Sequence, residues 1–319
     1  MRKMKSLLLT IPLLATLAFF SCTSGGRQQA PADVRDTMRI GVTRTFDCLP
    51  LFVAQETGLD TLCGVRLQLS AYASKADCDS ALLNRSLDAV FTDFARADII
   101  LKAWNDNAKK LKAEMQDIRD GKTKKKGKAE DRLKRLAAEY EAYSDSLCMM
   151  QHPNSMLTLF AHHKARISEA KQLVDKMTGV DRTGADREFA AKVLDSVKVS
   201  DVSFLVQVQN MKLRTDMLLA GTLDAAVLQE PFSSLARKAG SRQLYAAERV
   251  GQRHVGCVVA RSDAQKLMKL YNMACDTINK YGIHRYDSIL TRRFNIKPTA
   301  LKSIRKQTFG RMTASDNKK

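Results

Sequence analysis

The chain has 319 residues, enough for two lobes of roughly 100–150 residues each rather than one core. Its formal charge is +19, a balance that raises nucleic acid as a partner, but a single Trp and no motif that interleaves aromatic with basic residues argue against that class. Seven cysteines without a CxxC or a metal-ligand spacing read mostly as buried thiols, and a Cys48–Cys78 bridge has no support in the pattern.

Residues 1–21 read as an export segment. Arg2, Lys3 and Lys5 precede an apolar run from Leu7 to Phe20, short for a bilayer span. The run ends Phe19-Phe20-Ser21-Cys22-Thr23-Ser24-Gly25-Gly26, which resembles a bacterial lipoprotein cleavage site with Cys22 as the lipidated first residue. Phe19 stands where such sites usually carry Leu, and the alternative is an ordinary secretory signal that holds a cysteine. Removing these residues takes away three cations and no acid, leaving +16 of the +19. Export is a further argument against nucleic acid, and the basic surface is either merely solvated or drawn to anionic phospholipid. Residues 22–36 form a flexible tether.

The elements then alternate. Strands are predicted at Met38–Thr43, Val65–Ala71 and 88–92, with helices at Leu49–Thr57, ending on Gly58, and at 75–84. Strand, helix, strand, helix, strand implies a parallel sheet with right-handed crossovers. Residues 102–148 break the pattern. Trp104, Ala108, Leu111, Met115 and Ile118 step by 4, 3, 4, 3, and Ala129, Leu133, Leu136, Tyr140, Tyr143 and Leu147 continue in kind. These seams predict an inserted antiparallel helical hairpin, a coiled coil about 30 Å long at ~1.5 Å per residue, around a basic loop at Gly121–Lys128.

Further strands are expected at Met156–Ala161, Lys176–Val180, Val202–Val208, 224–228 and Val255–Ala260. Helices are expected at Ile167–Asp175, 187–197, 211–220, Ser262–Tyr281 and Ile283–Arg305, with a disordered tail from Phe309. One nonapeptide occurs twice. Leu82-Leu83-Asn84-Arg85-Ser86-Leu87-Asp88-Ala89-Val90 returns as Leu218-Leu219-Ala220-Gly221-Thr222-Leu223-Asp224-Ala225-Ala226. Each copy reads as a helix end, a turn and a buried strand, so two α/β lobes are built alike. Residues 37–101 with 257–319 form lobe 1 and residues 149–256 lobe 2, with hinges near 94–101, 149–156 and 250–262. Ligands in open α/β sheets sit beyond the carboxyl ends of the strands, so two such edges make a clamp.

Ile40-Gly41-Val42 followed by Leu49-Pro50-Leu51-Phe52-Val53-Ala54-Gln55 and Gly58-Leu59 resembles the opening of periplasmic substrate-binding proteins of the nitrate/sulfonate/taurine and thiamine-precursor type. Gly221 through Phe232, with Asp224-Ala225-Ala226-Val227-Leu228-Gln229-Glu230-Pro231, is similar to a second segment of that family, and the Leu87–Asp93 strand to its counterpart in the first lobe. Gln229 departs from the family's Trp, which puts aromatic stacking there in doubt. The resemblance implies an α/β, two-lobed periplasmic-binding-protein-like (type II) clamp. It implies a monomeric, periplasmic protein that delivers a small ligand to an ABC-type inner-membrane permease, held near it by lipid on Cys22 at the periplasmic face of the inner membrane.

The candidate lining comprises Thr45, Phe46, Asp47, Thr92, Asp93, Asp181, Arg182, Thr183, Gln229 and Glu230. The loops at 44–48 and 181–186 open helices, whose free N–H groups favour a sulfonate, phosphate or carboxylate. The four acids favour instead an amine, amidine or aminopyrimidine, or simply cap helices. Phe46 reads equally as core. No cofactor or metal is expected: His162-His163 point to opposite faces of a strand, and no Ser-His-Asp order, HExxH or P-loop occurs. An enzyme on the same fold, a pyrimidine synthase with iron and a cysteine-rich run, has no such run here. The remaining rival is a periplasmic sensor or adaptor acting through the hairpin.

Overall fold

The computed structural model describes residues 37–122, 129–141, 143, 145–154, 156–247 and 255–315. The export segment, Cys22, the tether and most of the hairpin loop lie outside them. Lobe 1 opens with β1 (Thr37–Val42), α1 (Leu49–Thr57), α2 (Leu59–Leu62), β2 (Arg66–Ala71), α3 (Lys75–Leu83), β3 (Ala89–Thr92), α4 (Phe94–Arg119), α5 (Ala129–Glu141) and β4 (Leu147–His152). Lobe 2 holds β5 (Thr158–Ala161), β6 (Met177–Val180), α6 (Ala185–Ser196), β7 (Phe204–Gln207), α7 (Met211–Ala220), β8 (Ala225–Leu228), α8 (Phe232–Lys238) and β9 (Arg242–Ala246). The chain returns to lobe 1 with β10 (Val255–Ala260), α9 (Ala264–Tyr281), α10 (Asp287–Phe294), α11 (Pro298–Leu301) and β11 (Thr313–Ala314). Among the described residues no helix is long and apolar enough to cross a membrane.

The two sheets are built on one plan. The first runs β11-β4-β10-β3-β1-β2; the second, read from its far edge, runs β9-β5-β8-β6-β7. In each, three parallel strands are joined by one antiparallel strand that arrives from the other lobe side, β10 beside β3 and β5 beside β8. The repeated nonapeptide has a physical role in this plan. The Asp88 carboxylate accepts the Arg39 N–H at 2.7 Å, and Asp224 accepts the Met177 N–H at 2.9 Å, each tying the start of the neighbouring strand. A Cβ on Gly41 would stand 2.6 Å from Leu87 Cδ1, and one on Gly179 would stand 2.5 Å from Leu223 Cδ1. The repeat is therefore a cap plus a leucine seated over a glycine, used once per lobe.

The hairpin helices close on the predicted seam. Leu111, Met115, Ile118 and Leu136 form their own cluster with Leu133 and Tyr140, and Trp104 packs on Tyr143 at 4.5 Å. Arg132 near the start of α5 meets Glu114 late in α4 at 2.6 Å, so the pair is antiparallel. Helix α4 begins at Phe94 rather than near 102, because Asp93 caps it.

Other expectations are corrected. Residues 94–101 are the first turns of α4 and carry no crossing; the chain passes between sheets only between β4 and β5 and between β9 and β10. Residues 149–152 lie in β4, which pairs with β10 and so stands with lobe 1. The helix expected at Ile167–Asp175 is only a 3-10 turn, Ala170–Leu173, closed by a capping box of Glu169 and Gln172. Residues 309–315 of the tail are ordered: Phe309 and Met312 are buried in the lobe 1 core, and β11 pairs with β4. Asn154, at the crossing, holds Gly310 through both its amide groups. The six described cysteines are free thiols, so Cys48 and Cys78 are not bridged.

Docking of the tail is testable. Phe309→Ala removes a ring that lies 6.3 Å from Phe46 in the core and should lower unfolding free energy by about 3–5 kcal/mol. Urea titration reads this directly, and a loss under about 0.5 kcal/mol, the range of an exposed position, would place the tail off the core.

Candidate ligand-binding cleft

The carboxyl ends of six parallel strands meet across one cavity of about 330 Å³. Lobe 1 contributes Thr43 to Thr45 after β1, Tyr72 to Lys75 after β2, and Asp93 after β3. Lobe 2 contributes Asp181 and Asp186 after β6, Gln209 to Lys212 after β7, and Gln229 after β8. The size suits a small molecule.

The floor is a set of buried charges. Lys75 Nζ lies 3.3 Å from Asp47, which is fully buried and also accepts the Thr45 hydroxyl at 2.5 Å. Burial works to raise the Asp47 carboxyl, but Lys75, His152 and the Thr45 hydroxyl together hold it below the usual carboxylate range. Burial likewise opposes the Lys75 charge, and Asp47, Asp93 and Asp186 outweigh it. Arg214, with no exposed surface, binds Asp186 and donates to the carbonyls of Val208 and Val227 at 2.7–2.8 Å. It fastens β7, α7 and β8 to the first turn of α6.

Arg96, from the first turn of α4, reaches across the cleft. Its guanidinium meets Asp79 at 2.6 Å in its own lobe and Asp181 at 3.0 Å in the other, and it also donates to the Thr183 hydroxyl. Thr183 in turn donates its hydroxyl hydrogen bond to Asp181 at 2.7 Å. Burial works against the Asp181 charge, yet Thr183 and Arg96 prevail and keep its carboxyl low. A backbone bond adds to this closure, from Phe46 N–H to the Glu230 carbonyl at 3.0 Å.

Four helices point their N-termini at the cavity. Ser74 caps α3 and Asn210 caps α7. Asp93 caps α4 through Oδ1 at 3.2 Å and also accepts the Ala185 N–H of α6, in the opposite lobe. The N-cap of α6 is Gly184, and a Cβ there would stand 2.7 Å from Asp93 Oδ2. The glycine admits the carboxylate, and one acid caps two helices across the interface.

A family model described as NMT1-like family matches residues 32–267. The chain belongs to the NMT1-like family. No curated protein sequence matches this family member. Its fold is that of the periplasmic binding proteins. The periplasmic aliphatic sulphonate-binding protein SsuA of Escherichia coli aligns with a TM-score of 0.59 at 11% identity, over 88% of this chain and 87% of that one. The MOPS-bound alkanesulfonate-binding protein SsuA of Xanthomonas axonopodis pv. citri aligns at 0.58 and 16% identity, over 86% of each chain. The zinc-bound ligand-binding component of an ABC-type import system from Staphylococcus aureus aligns at 0.59 and 13% identity, over 88% and 87%.

Of the residues singled out in the sequence, Thr45, Asp93, Asp181 and Gln229 line the cavity. Asp47 stands buried behind that wall as the partner of Lys75, and Thr183, an exposed residue outside the lining, partners Arg96. Phe46 is core, against Phe294 and Phe309. Thr92 is buried under Asp93, and Arg182 is exposed, with its N–H on Gln207. Glu230 caps α8 and pairs with Arg237 at 3.1 Å. Sequence reading missed Tyr72, Lys75, Asp186, Asn210 and Arg214. The ends of β2 and β7 were available as signals, since ligands gather at every carboxyl edge of the parallel set.

Two outcomes follow for stability. Arg96→Met leaves Asp79 and Asp181 buried without their cation and should cost about 3–5 kcal/mol in chemical denaturation. Burial raises the Asp93 carboxyl above its ordinary value, so ionising it opposes folding. That opposition is absent below the unfolded carboxylate pKa of about 3.9 and grows as pH rises past it. Asp93→Asn keeps a capping side chain and should raise Tm at neutral pH. The gain should fade as the pH is lowered to about 3, below the unfolded pKa; a gain that is largest in acid would contradict the assignment.

Proposed function

We propose that this chain is the extracytoplasmic solute-binding component of an ABC-type importer. It captures a small polar solute between its lobes and presents the closed clamp to an inner-membrane permease. The observation that carries the reading is the cavity itself, of about 330 Å³ and walled by strand ends from both lobes. A solute that touches both walls favours closure, and a permease can read the closed shape. Family membership and the fold shared with sulfonate-binding proteins support it. The protein acts as a binder rather than a catalyst, and as a monomer. Thr45, Asp93, Asp181 and Gln229 contact the solute, while Arg96 and Thr183 hold the lobes in register. Lipid on Cys22 keeps it in the periplasm beside its permease.

A thermal-shift screen of the purified protein tests this. The panel holds sulfonates, nitrate, bicarbonate, amines, amidines and amino-acid derivatives. A ligand at a hundred times its Kd should add about 2.7 kcal/mol. A flat panel, repeated after unfolding and refolding to strip carried-over solute, would overturn the reading. The anchor is tested separately: Cys22→Ala should abolish labelling by radioactive palmitate, and undiminished labelling would remove Cys22 from that role.

A further inference from the structure

Resting on the solute-binding reading, we infer that the cleft takes a small organic cation rich in N–H donors, a protonated amine or amidinium, rather than a sulfonate or another anion. The charge inventory of the floor is the first support. Five carboxylates, Asp47, Asp79, Asp93, Asp181 and Asp186, stand with three cations, Lys75, Arg96 and Arg214, and no side chain among them is more than 13% exposed. Lys75 answers Asp47, Arg214 answers Asp186, and Arg96 is shared between Asp79 and Asp181. Asp93 is left with the Arg96 Nε at 3.9 Å. The floor thus carries an excess of negative charge where water screens it poorly, and a cation relieves that excess.

The donor inventory points the same way. An anion needs free donors, and those the floor leaves uncommitted each stand beside an acid: the Lys75 ammonium 3.3 Å from Asp47 and the Arg96 Nε 3.9 Å from Asp93. Arg214 spends four of its five N–H groups on Asp186 and the carbonyls of its own lobe. Arg96 spends its terminal nitrogens on Asp79, Asp181 and Thr183. The N-termini of α3, α4 and α7 hold their own caps, and α6 receives Asp93. The rim cations Arg44 and Lys212 are exposed, where salt screens them. The wall also leaves open an acceptor that no protein group meets. Gln229 lines the cavity, is 4% exposed, and its Oε1 has no hydrogen-bond partner. A buried acceptor without a donor is costly, and a ligand N–H satisfies it.

Titration calorimetry on the purified protein decides the matter, with 1,4-diaminobutane, agmatine and methylguanidinium set against ethanesulfonate and nitrate, and 1,4-butanediol as the uncharged shape control. At least one cation should bind, with the diol about a hundredfold weaker or undetectable, and Asp93→Asn should weaken the cation by about tenfold or more while circular dichroism stays unchanged. Gln229→Leu should weaken it as well. Binding of ethanesulfonate or nitrate without any cation would overturn this inference and leave the solute-binding reading standing. Equal cation affinity in wild type and Asp93→Asn would overturn the assignment of the floor. Silence from the whole panel would overturn both.

Discussion

Closure of this molecule depends on a guanidinium that has partners in both lobes. Arg96 belongs to lobe 1 by chain and is held there by Asp79, while Asp181 and Thr183 of lobe 2 complete its shell. A buried ion pair adds little net stability relative to a well-packed apolar pair, because each charge is first stripped of water. Its value here is directional. The planar fork meets oxygens in fixed places, so the lobes can approach in only one register. Asp93 imposes the same restriction from the opposite sign, since it reaches the Ala185 N–H only past a residue without a Cβ.

The lobes that these contacts align share one chemical device, and this is why much of the fold was legible. A leucine and an aspartate placed before a short apolar strand read as a repeat because they do the same work in both lobes: the acid ties a strand end, and the leucine fills the space over a glycine. Helix α1 was legible for local reasons, bounded by Pro50 and the left-handed Gly58. The heptad seam was legible because its partners lie on two adjacent helices. Legibility failed where the stabilising partner is distant. Strand β4 makes its ladder with β10, more than a hundred residues on. Residues 309–315 are ordered by a core to which the first residues of the fold contribute. Lys75 reads as a surface residue beginning a helix until Asp47 is seen beneath it, and Arg214 is an ordinary helix cation until the chain folds it onto Asp186. Candidate acids could be named from strand ends alone; which of them were already neutralised could not.

That difference governs what can be carried over from proteins of the same fold. A strand end followed by a helix N-terminus is a ready anion site in any doubly wound sheet. Whether it binds an anion depends on what already occupies the N–H groups. In this chain Ser74, Asp93 and Asn210 each take one of them, and Asp93 also faces the start of α6. Proteins of this fold bind sulfonates, and the cation preference proposed here rests on the side chains of the floor rather than on the fold.

Closure through the protein's own contacts also bears on affinity. A ligand shifts an open–closed equilibrium only by the difference in its affinity for the two states. Part of the closed state's free energy comes here from contacts between the lobes that form without solute, Arg96 with Asp181 and Thr183 and the Phe46 N–H with the Glu230 carbonyl. When the lobes part, water rehydrates these groups, so the latch biases the equilibrium without locking it. A latched clamp loses less ligand affinity to conformational selection, because the competent fraction is larger to begin with. The same bias narrows the contrast between empty and loaded forms. On the importer reading proposed above, a permease then senses the occupied cavity through something finer than lobe separation, since the floor charges that meet the solute are buried.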